Sequence, residues 1–284
     1  MTKNNLKLLV VTAHPHDFTH VAATCGIHVS QGDSVTVVSV GHGIFTHNEQ
    51  LHEELMKPAN QRDSSVLNQR PEAYSELKTS ELRSACAVFD ISDVRIIGTK
   101  EPFRIYQSPE LITTLRDIIL EIRPHILITQ SPYTPTRHGL QNNSPDDHTE
   151  VAHATLEARH LASTPMYGSN IEPHTVAATY FPGVYFEKDQ FDFYVDTTDW
   201  FEKRVQAENA FKSQGHTEEF SRRRIELTLG NTGWFSGTMY AESFVQERPE
   251  VVSKITISDH TLRRSKEPPS IHIRRISGLE HQSI

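Results

Sequence analysis

Two short segments carry histidine and carboxylate side chains at spacings that suit a metal ion. The first segment, Ala13–Asp17 (AHPHD), offers His14 and Asp17 three residues apart, and the second, Ser144–His148 (SPDDH), offers His148. Two histidines and one carboxylate can hold Zn²⁺ and leave an open position for water. A single H-x-x-D match is weak evidence in a chain with 17 histidines. Whether the two segments form one metal site therefore depends on the secondary-structure elements around them.

The strands predicted before these segments place both segments at one edge of a sheet. Lys7–Thr12 (KLLVVT) is short, apolar and rich in Val and Leu, and His125–Thr129 (HILIT) has the same character. Such runs are typical of buried strands in parallel sheets. Ligands bind outside the carboxyl ends of the strands in these sheets. Because each segment follows one of the two strands, we expect their side chains to meet.

Strands and helices alternate along the first 163 residues of the chain. Further predicted strands are Ser34–Val40 and Val94–Ile97, and predicted helices are Asp17–Ser30, Ser75–Phe89, Leu111–Ile122 and Asp146–Ser163. This alternation predicts an α/β fold with a Rossmann-like open, mostly parallel sheet and helices on both faces.

The sequence changes character beyond Pro173. Thr175–Phe186 and Phe191–Val195 are rich in aromatic and β-branched residues, and two helical stretches follow them. We interpret residues 175–250 as a β-containing C-terminal extension that completes the site of a single domain, 1–250. Residues 251–284 contain many basic residues and two prolines, so we expect a tail that is partly ordered or packed on a partner.

Composition restricts the class of protein. The formal net charge is -8, which disfavours nonspecific nucleic-acid binding. No apolar run is long enough for a transmembrane helix or typical of a secretory signal, so we expect a soluble, cytoplasmic protein without a membrane partner. The two cysteines, Cys25 and Cys86, are too few for a disulfide framework or a thiolate zinc site. We expect a small-molecule substrate, and a homo-oligomer remains possible.

The order of these features resembles the LmbE-like, PIG-L type zinc-dependent deacetylases. That family opens with an apolar strand followed by A-H-P-D-D, where this chain has VVTAHPHDF, and it continues with matches to the IRPHILIT strand and to Pro145–His148. The resemblance covers roughly residues 6–247. It implies that His14, Asp17 and His148 bind Zn²⁺, and that a water activated by the metal attacks the N-acetyl group of a small polar substrate.

Three positions depart from the family pattern. His16 stands where the deacetylases have the aspartate that acts as general base, Pro145 where they have a histidine that stabilises the oxyanion, and Phe18 where they have a glutamate. A neutral imidazole can still accept a proton, so a hydrolase with His16 as base is one reading. The pair Asp17-Phe18 instead resembles the 4-oxalomesaconate hydratase branch, which adds water to an unsaturated polycarboxylate. A metal-binding protein without catalysis is a third possibility.

Other candidates lie in loops. The segment Gly41–Glu54 follows the second strand and offers His42 and Glu49 as an acid or base, with His52 and Glu53 as further choices. The substrate-binding candidates, which suit a carboxylate, are Arg104, Arg137 and His138.

Overall fold

The chain forms one seven-stranded sheet. The computed structural model describes residues 5–99, 108–133, 146–165 and 170–279. The strands are β1 (Lys7–Thr12), β2 (Ser34–Ser39), β3 (Asp93–Ile96), β4 (Ile126–Thr129), β5 (Ala178–Pro182), β6 (Phe193–Asp196) and β7 (Ala241–Gln246). Their spatial order is β3-β2-β1-β4-β5-β7-β6. The five strands from β3 to β5 are parallel, and β7 is antiparallel to both β5 and β6. The predicted α/β fold with a mostly parallel open sheet is confirmed.

Helices cover both faces of the sheet. The helices are α1 (Ala22–Ser30), α2 (Glu49–Met56), α3 (Ser64–Leu67), α4 (Pro71–Ala87), α5 (Pro109–Ile122), α6 (Asp147–Ser163), α7 (Phe201–Glu208), α8 (Glu218–Ser236), α9 (Asp259–Arg264) and α10 (Pro269–Ser277). Strand β1 is central, and its side chains alternate between two cores. Leu8 and Val10 pack with residues of α1, α4 and α7, whereas Leu9 and Val11 pack with α5 and α6. This two-sided burial explains the uninterrupted apolar run in β1.

The helix predicted from Asp17 begins later in the structure. Residues Pro15–Val21 form 3-10 turns, and the α-helix starts only at Ala22. The carboxylate of Asp17 accepts a hydrogen bond from the backbone N–H of His14, at 2.8 Å, which closes the turn back on the end of β1. The ligand segment is therefore a compact turn between strand and helix.

Strand β7 was not predicted from the sequence, because it contains a buried glutamate. Glu242 lies in β7 with only 2% of its surface exposed, so the strand lacks an apolar run. Its carboxylate accepts hydrogen bonds from the backbone N–H groups of Ala23 and Thr24 at the start of α1. A carboxylate that satisfies helix N-terminal amides can be buried, because those amides need acceptors and carry partial positive charge.

The segment after residue 250 contains α9 and α10. Arg275 donates to the backbone carbonyl of Gly237 at 2.9 Å, at the C-terminal end of α8, where the helix dipole favours a cation. Within the parts of the chain that the structure describes, no helix is long and apolar enough to cross a membrane.

Candidate metal centre

His14 is fixed at the carboxyl end of β1. The residue is completely buried. The preceding backbone N–H, that of Ala13, donates to the side-chain oxygen of Gln130, which follows β4. His14 Nε2 lies 2.9 Å from Asp147 Oδ2 and 3.1 Å from Thr46 Oγ1, and Nδ1 lies 3.7 Å from Asp17 Oδ2. An outer carboxylate of this kind sets the orientation of a metal-binding imidazole. Asp147 thus directs the Nδ1 side of His14 toward Asp17.

The two oxygens of Asp17 have different surroundings. Oδ2 accepts hydrogen bonds from the His14 backbone and from Gln130 Nε2, the latter at 2.6 Å. Oδ1 lies 3.4 Å from His148 Nε2. Burial by itself would raise the pKa of Asp17, but His148 and then His14 hold this pKa well below its usual range. Asp17 is therefore ionised, with Oδ1 on the side of His148.

His148 enters the site from the first turn of α6. Asp146 caps this helix by accepting a hydrogen bond from the backbone N–H of Thr149, at 2.9 Å. His148 Nδ1 lies 3.4 Å from Asp147 Oδ1 and 3.7 Å from Asp146 Oδ2. Burial opposes protonation of His148, but Asp17 and then Asp146 raise its pKa to about 11. The surrounding carboxylates strongly favour a positive charge here.

A fourth residue, His47, belongs to the same group. The possible ligand atoms of His14, Asp17, His47 and His148 all lie within 4.8 Å of one another, and we call these four residues the metal cluster. His47 lies in the loop after β2. The sequence marked this loop as a source of acid or base groups, but its several histidines carried no signal that separates His47 from the others.

The metal cluster fits a divalent cation. Imidazole and carboxylate are ligands that Zn²⁺ accepts. Among the described residues, no Lys or Arg forms an ion pair with Asp17, Asp146 or Asp147. The two cysteines cannot contribute, because both are buried and burial raises the pKa of each thiol. A site of this composition would be balanced by a bound cation.

His16 lies in a different group of side chains, although it precedes Asp17 directly. Its Nε2 is 2.8 Å from Glu208 Oε1. Glu208 is also 2.9 Å from Arg204, 3.2 Å from Arg224 and 3.4 Å from His216. We call these five residues the Glu208 cluster. Burial lowers the pKa of His16, so its imidazole is neutral near pH 7. The predicted role of His16 as a base stays a prediction.

The remaining predicted site residues fall in several places. Glu49 Oε1 lies 3.6 Å from His47 Nδ1, one residue removed from the metal cluster. His42 is not part of that cluster and lies against Gly98, in the turn after β3. Arg104, Arg137 and His138 lie outside the described residues, as does Pro145. Their proposed roles stay predictions.

Two aromatic residues, Phe18 and Tyr185, have different surroundings. Phe18 is completely buried and packs edge-on against Phe89, so it is a core residue where the family pattern has a glutamate. The Tyr185 hydroxyl accepts a hydrogen bond from Gln130 Nε2 at 3.1 Å, and its ring centre lies 5.9 Å from that of His148. Burial, and then the charge of Asp17, raise the pKa of Tyr185 well above its usual value. Sequence analysis missed Tyr185, because its aromatic segment gave no sign of which ring would face the site.

Comparison with protein families finds one match that covers the site. Residues 9–159 match the family model described as PIG-L, GlcNAc-PI de-N-acetylase. Among curated proteins, a 1D-myo-inositol 2-acetamido-2-deoxy-alpha-D-glucopyranoside deacetylase of Thermomonospora curvata is 26% identical over 198 residues, which are 63% of this chain and 61% of that protein. The deacetylase of the same name from Streptomyces griseus is 28% identical over 61% of this chain and 54% of its own length. The chain thus spans less than two thirds of either relative.

Solved structures with both kinds of activity share the fold. The 4-carboxy-2-hydroxymuconate hydratase GalB of Pseudomonas putida KT2440 has a TM-score of 0.69 and 19% identity, covering 88% of this chain and 100% of its own. The N,N'-diacetylchitobiose deacetylase of Pyrococcus horikoshii has a TM-score of 0.67 and 15% identity, covering 86% of this chain and 84% of its own. At these identities the likeness concerns the fold alone.

Proposed function

Because the chain belongs to the PIG-L family of de-N-acetylases, we propose that it is a zinc-dependent hydrolase that removes the N-acetyl group of a small polar substrate. The observation that carries this proposal is the convergence of His14, Asp17 and His148 at the carboxyl edge of the sheet. Asp147 stands behind His14 at 2.9 Å, as an outer carboxylate does behind a metal-binding histidine.

A metal ion held here would act as a Lewis acid toward the substrate carbonyl. Bound Zn²⁺ lowers the pKa of water and polarises a carbonyl group. His14, Asp17 and His148 would hold the ion, and Gln130 would keep Asp17 in place through its 2.6 Å hydrogen bond. The bound ion would also offset the charge of the carboxylates near His148.

His16 is the proposed general base. The ionised Glu208 carboxylate accepts from His16 Nε2, at 2.8 Å, which leaves Nδ1 as the proton acceptor of the neutral ring. Burial lowers the pKa of His16 and keeps the ring neutral, as a base must be before it takes a proton. In this role Nδ1 would receive the proton released by the attacking water.

Tyr185 is the proposed donor to the charge that develops on the carbonyl oxygen. Proline has no donor, so Pro145 cannot replace the histidine of the deacetylase pattern. The Tyr185 oxygen already accepts from Gln130, and the structure describes no acceptor for its own proton. The raised pKa of Tyr185 keeps that proton in place. Donors aimed at a developing oxyanion supply a large part of catalysis in acyl transfer.

A second candidate function is the hydration of an unsaturated polycarboxylate. It is favoured by Phe18, a core residue where the deacetylase pattern has a glutamate, and by Pro145. Such a substrate needs cationic groups, for which Arg104, Arg137 and His138 are the candidates. The third possibility, metal binding without catalysis, would require the base and donor roles of His16 and Tyr185 to be unused.

The experiment compares the two reactions with one preparation. Protein loaded with Zn²⁺ is given N-acetylated amino sugars, including an N-acetylglucosaminyl inositol, and acetate release is measured. Separately it is given unsaturated dicarboxylates and tricarboxylates, and the loss of their diene absorbance is followed. We expect acetate release that stops when a chelator removes the metal.

Hydration without acetate from any amide would reject the deacetylase in favour of the hydratase. No turnover in either assay, with zinc bound, would favour the protein without catalysis.

A further inference from the structure

We propose that His47 is a fourth protein ligand of the metal ion, beside His14, Asp17 and His148. The inference rests on the proposed metal site and adds a residue to it from the loop between β2 and α2. Neither the spacing of the sequence nor the family resemblance pointed to this histidine.

The position of the His47 ring suits this role. Its centre lies 4.7 Å from the centre of the His14 ring, with the two planes at 75°. Its ligand atom is within 4.8 Å of those of the other three residues. His47 Nε2 is buried, and the described part of the chain provides no hydrogen-bond partner for it. A buried ring nitrogen without a partner is costly, and a bound cation would remove that cost.

All three imidazoles of the metal cluster have a carboxylate behind them. Asp147 lies 2.9 Å from His14 Nε2, Asp147 also lies 3.4 Å from His148 Nδ1, and Glu49 lies 3.6 Å from His47 Nδ1. Carboxylates placed in this way orient imidazole ligands and make them more basic. His47 is therefore accompanied by a carboxylate, as are the two histidines expected from the sequence.

The loop holds His47 in this place by its backbone. The His47 N–H donates to the carbonyl of Gly43 at 2.9 Å, and its own carbonyl accepts from the hydroxyl of the buried Tyr74 at 2.7 Å. Gly43 has a φ of 74°, and a Cβ there would lie 3.4 Å from His47 Cβ and 3.6 Å from His14 Cβ. Those distances are ordinary contacts, so it is the positive φ at residue 43 that favours glycine and lets the loop turn here.

The fourth ligand has a consequence for access to the ion. Catalytic Zn²⁺ usually keeps three protein ligands and can expand to five-coordinate geometry. With His47 as a ligand, a water or substrate atom would have to add to four protein ligands, and the loop that carries His47 would lie beside the ion. This feature concerns how many protein atoms hold the ion, which can be measured without any substrate.

The test is a count of imidazole ligands by X-ray absorption spectroscopy at the zinc edge. We expect three imidazoles in the wild-type protein and two in the His47→Ala variant. Zinc affinity, measured by competition with a chelator, should fall at least about tenfold in that variant, the smallest loss usual even for outer-shell partners. Cobalt substitution should show a changed visible ligand-field spectrum.

The matched control is His52→Ala. His52 lies five positions further along the chain, on α2, and its side chain is exposed. This variant should keep three imidazoles and wild-type zinc affinity. If His47→Ala does not fold, His47→Gln and the wild-type count still decide the matter.

Two imidazoles in the wild type, or equal zinc affinity in His47→Ala and His52→Ala, would overturn the proposal while leaving the proposed function intact. The proposed function fails by a different result, the absence of acetate release from protein that holds its zinc.

Discussion

The metal cluster and the Glu208 cluster are built from the same residue types, but their charges are balanced in different ways. Both combine histidines with a buried carboxylate, and both take a side chain from the turn that follows β1. In the Glu208 cluster, the carboxylate lies 2.9 Å from Arg204 and 3.2 Å from Arg224. In the metal cluster, the described residues offer Asp17 only imidazoles, the His14 backbone N–H and the Gln130 amide, with no Lys or Arg.

This difference separates a closed polar network from a binding site. Glu208 is completely buried and has its cations within the protein, so it needs no further partner. The metal cluster has one ionised carboxylate and three imidazoles, with Asp146 and Asp147 beside them, and gains from an added cation. A group of histidines and carboxylates thus indicates a metal site only when no nearby arginine or lysine already balances the carboxylate charge.

The largest effect is expected from Asp17→Asn. The substitution keeps the shape of the side chain but removes the charge that faces His148. We expect zinc content to fall from about one equivalent to under about a tenth, and the rate of acetate release to fall by at least about 10⁴-fold.

The matched control for that variant is Asp33→Asn. Asp33 also pairs with a histidine, His28 at 2.7 Å, but lies outside both clusters. It should retain zinc and activity. Full zinc content in Asp17→Asn would refute the assignment of the metal cluster.

A smaller and different effect is expected from Glu208→Gln. Removal of this buried charge leaves Arg204 with only its longer contact to Glu242, at 3.8 Å, and breaking a buried ion pair costs roughly 3–5 kcal/mol of unfolding free energy. Zinc content should not change, because Glu208 is not a ligand. Denaturant unfolding and metal analysis of the same samples measure the two quantities.

Glu202→Gln serves as the comparison for Glu208→Gln. Glu202 lies on the same helix, α7, and forms an exposed pair with Arg222 at 2.7 Å. Exposed pairs contribute little, so its stability should stay near wild type. Loss of zinc from Glu208→Gln would show that the two clusters are not independent.

The smallest effect is a pH dependence of stability. Burial raises the pKa of Glu208, but Arg204 and then His16 lower it far more, so the folded pKa lies below the unfolded value of about 4.3. A lowered pKa gives stability that is present above the unfolded pKa and is lost as the pH falls below it. The stability difference between wild type and Glu208→Gln should therefore shrink by about 1 kcal/mol per pH unit below pH 4.3.

Unfolding is measured with chelator present, so that metal release does not contribute. A difference between the two proteins that stays constant from pH 5 to pH 3 would show that Glu208 does not titrate in this way.

The sequence predicted the site residues that directly follow the ends of strands. His14, Asp17 and His148 follow β1 and β4, which are neighbours in a parallel sheet, so their meeting follows from topology. His47 could not be predicted, because its position depends on the path of a loop that Gly43 and Tyr74 fix. The partner of His16 could not be predicted either, since Glu208 lies 192 residues further along the chain.

The hydrophobic pattern located four strands, β1 to β4, to within one residue at each end and missed β7. The buried Glu242 interrupts that strand, and its partners are the start of α1 and Arg204, 3.8 Å away. The hydrophobic pattern of β7 alone cannot show that the backbone N–H groups at the start of α1 need an acceptor from that strand.

The Gln130 side chain makes the two oxygens of the Asp17 carboxylate chemically different. Its Oε1 accepts from Ala13, so its Nε2 must be the end that faces Asp17 Oδ2, and an N–H donor there excludes a proton from that oxygen. Any proton on Asp17 would have to sit on Oδ1, the atom on the side of His148. Because His148 and His14 hold the pKa of Asp17 well below its usual range, Oδ1 carries no proton near neutral pH and is available to a metal ion, which binds only deprotonated carboxylates.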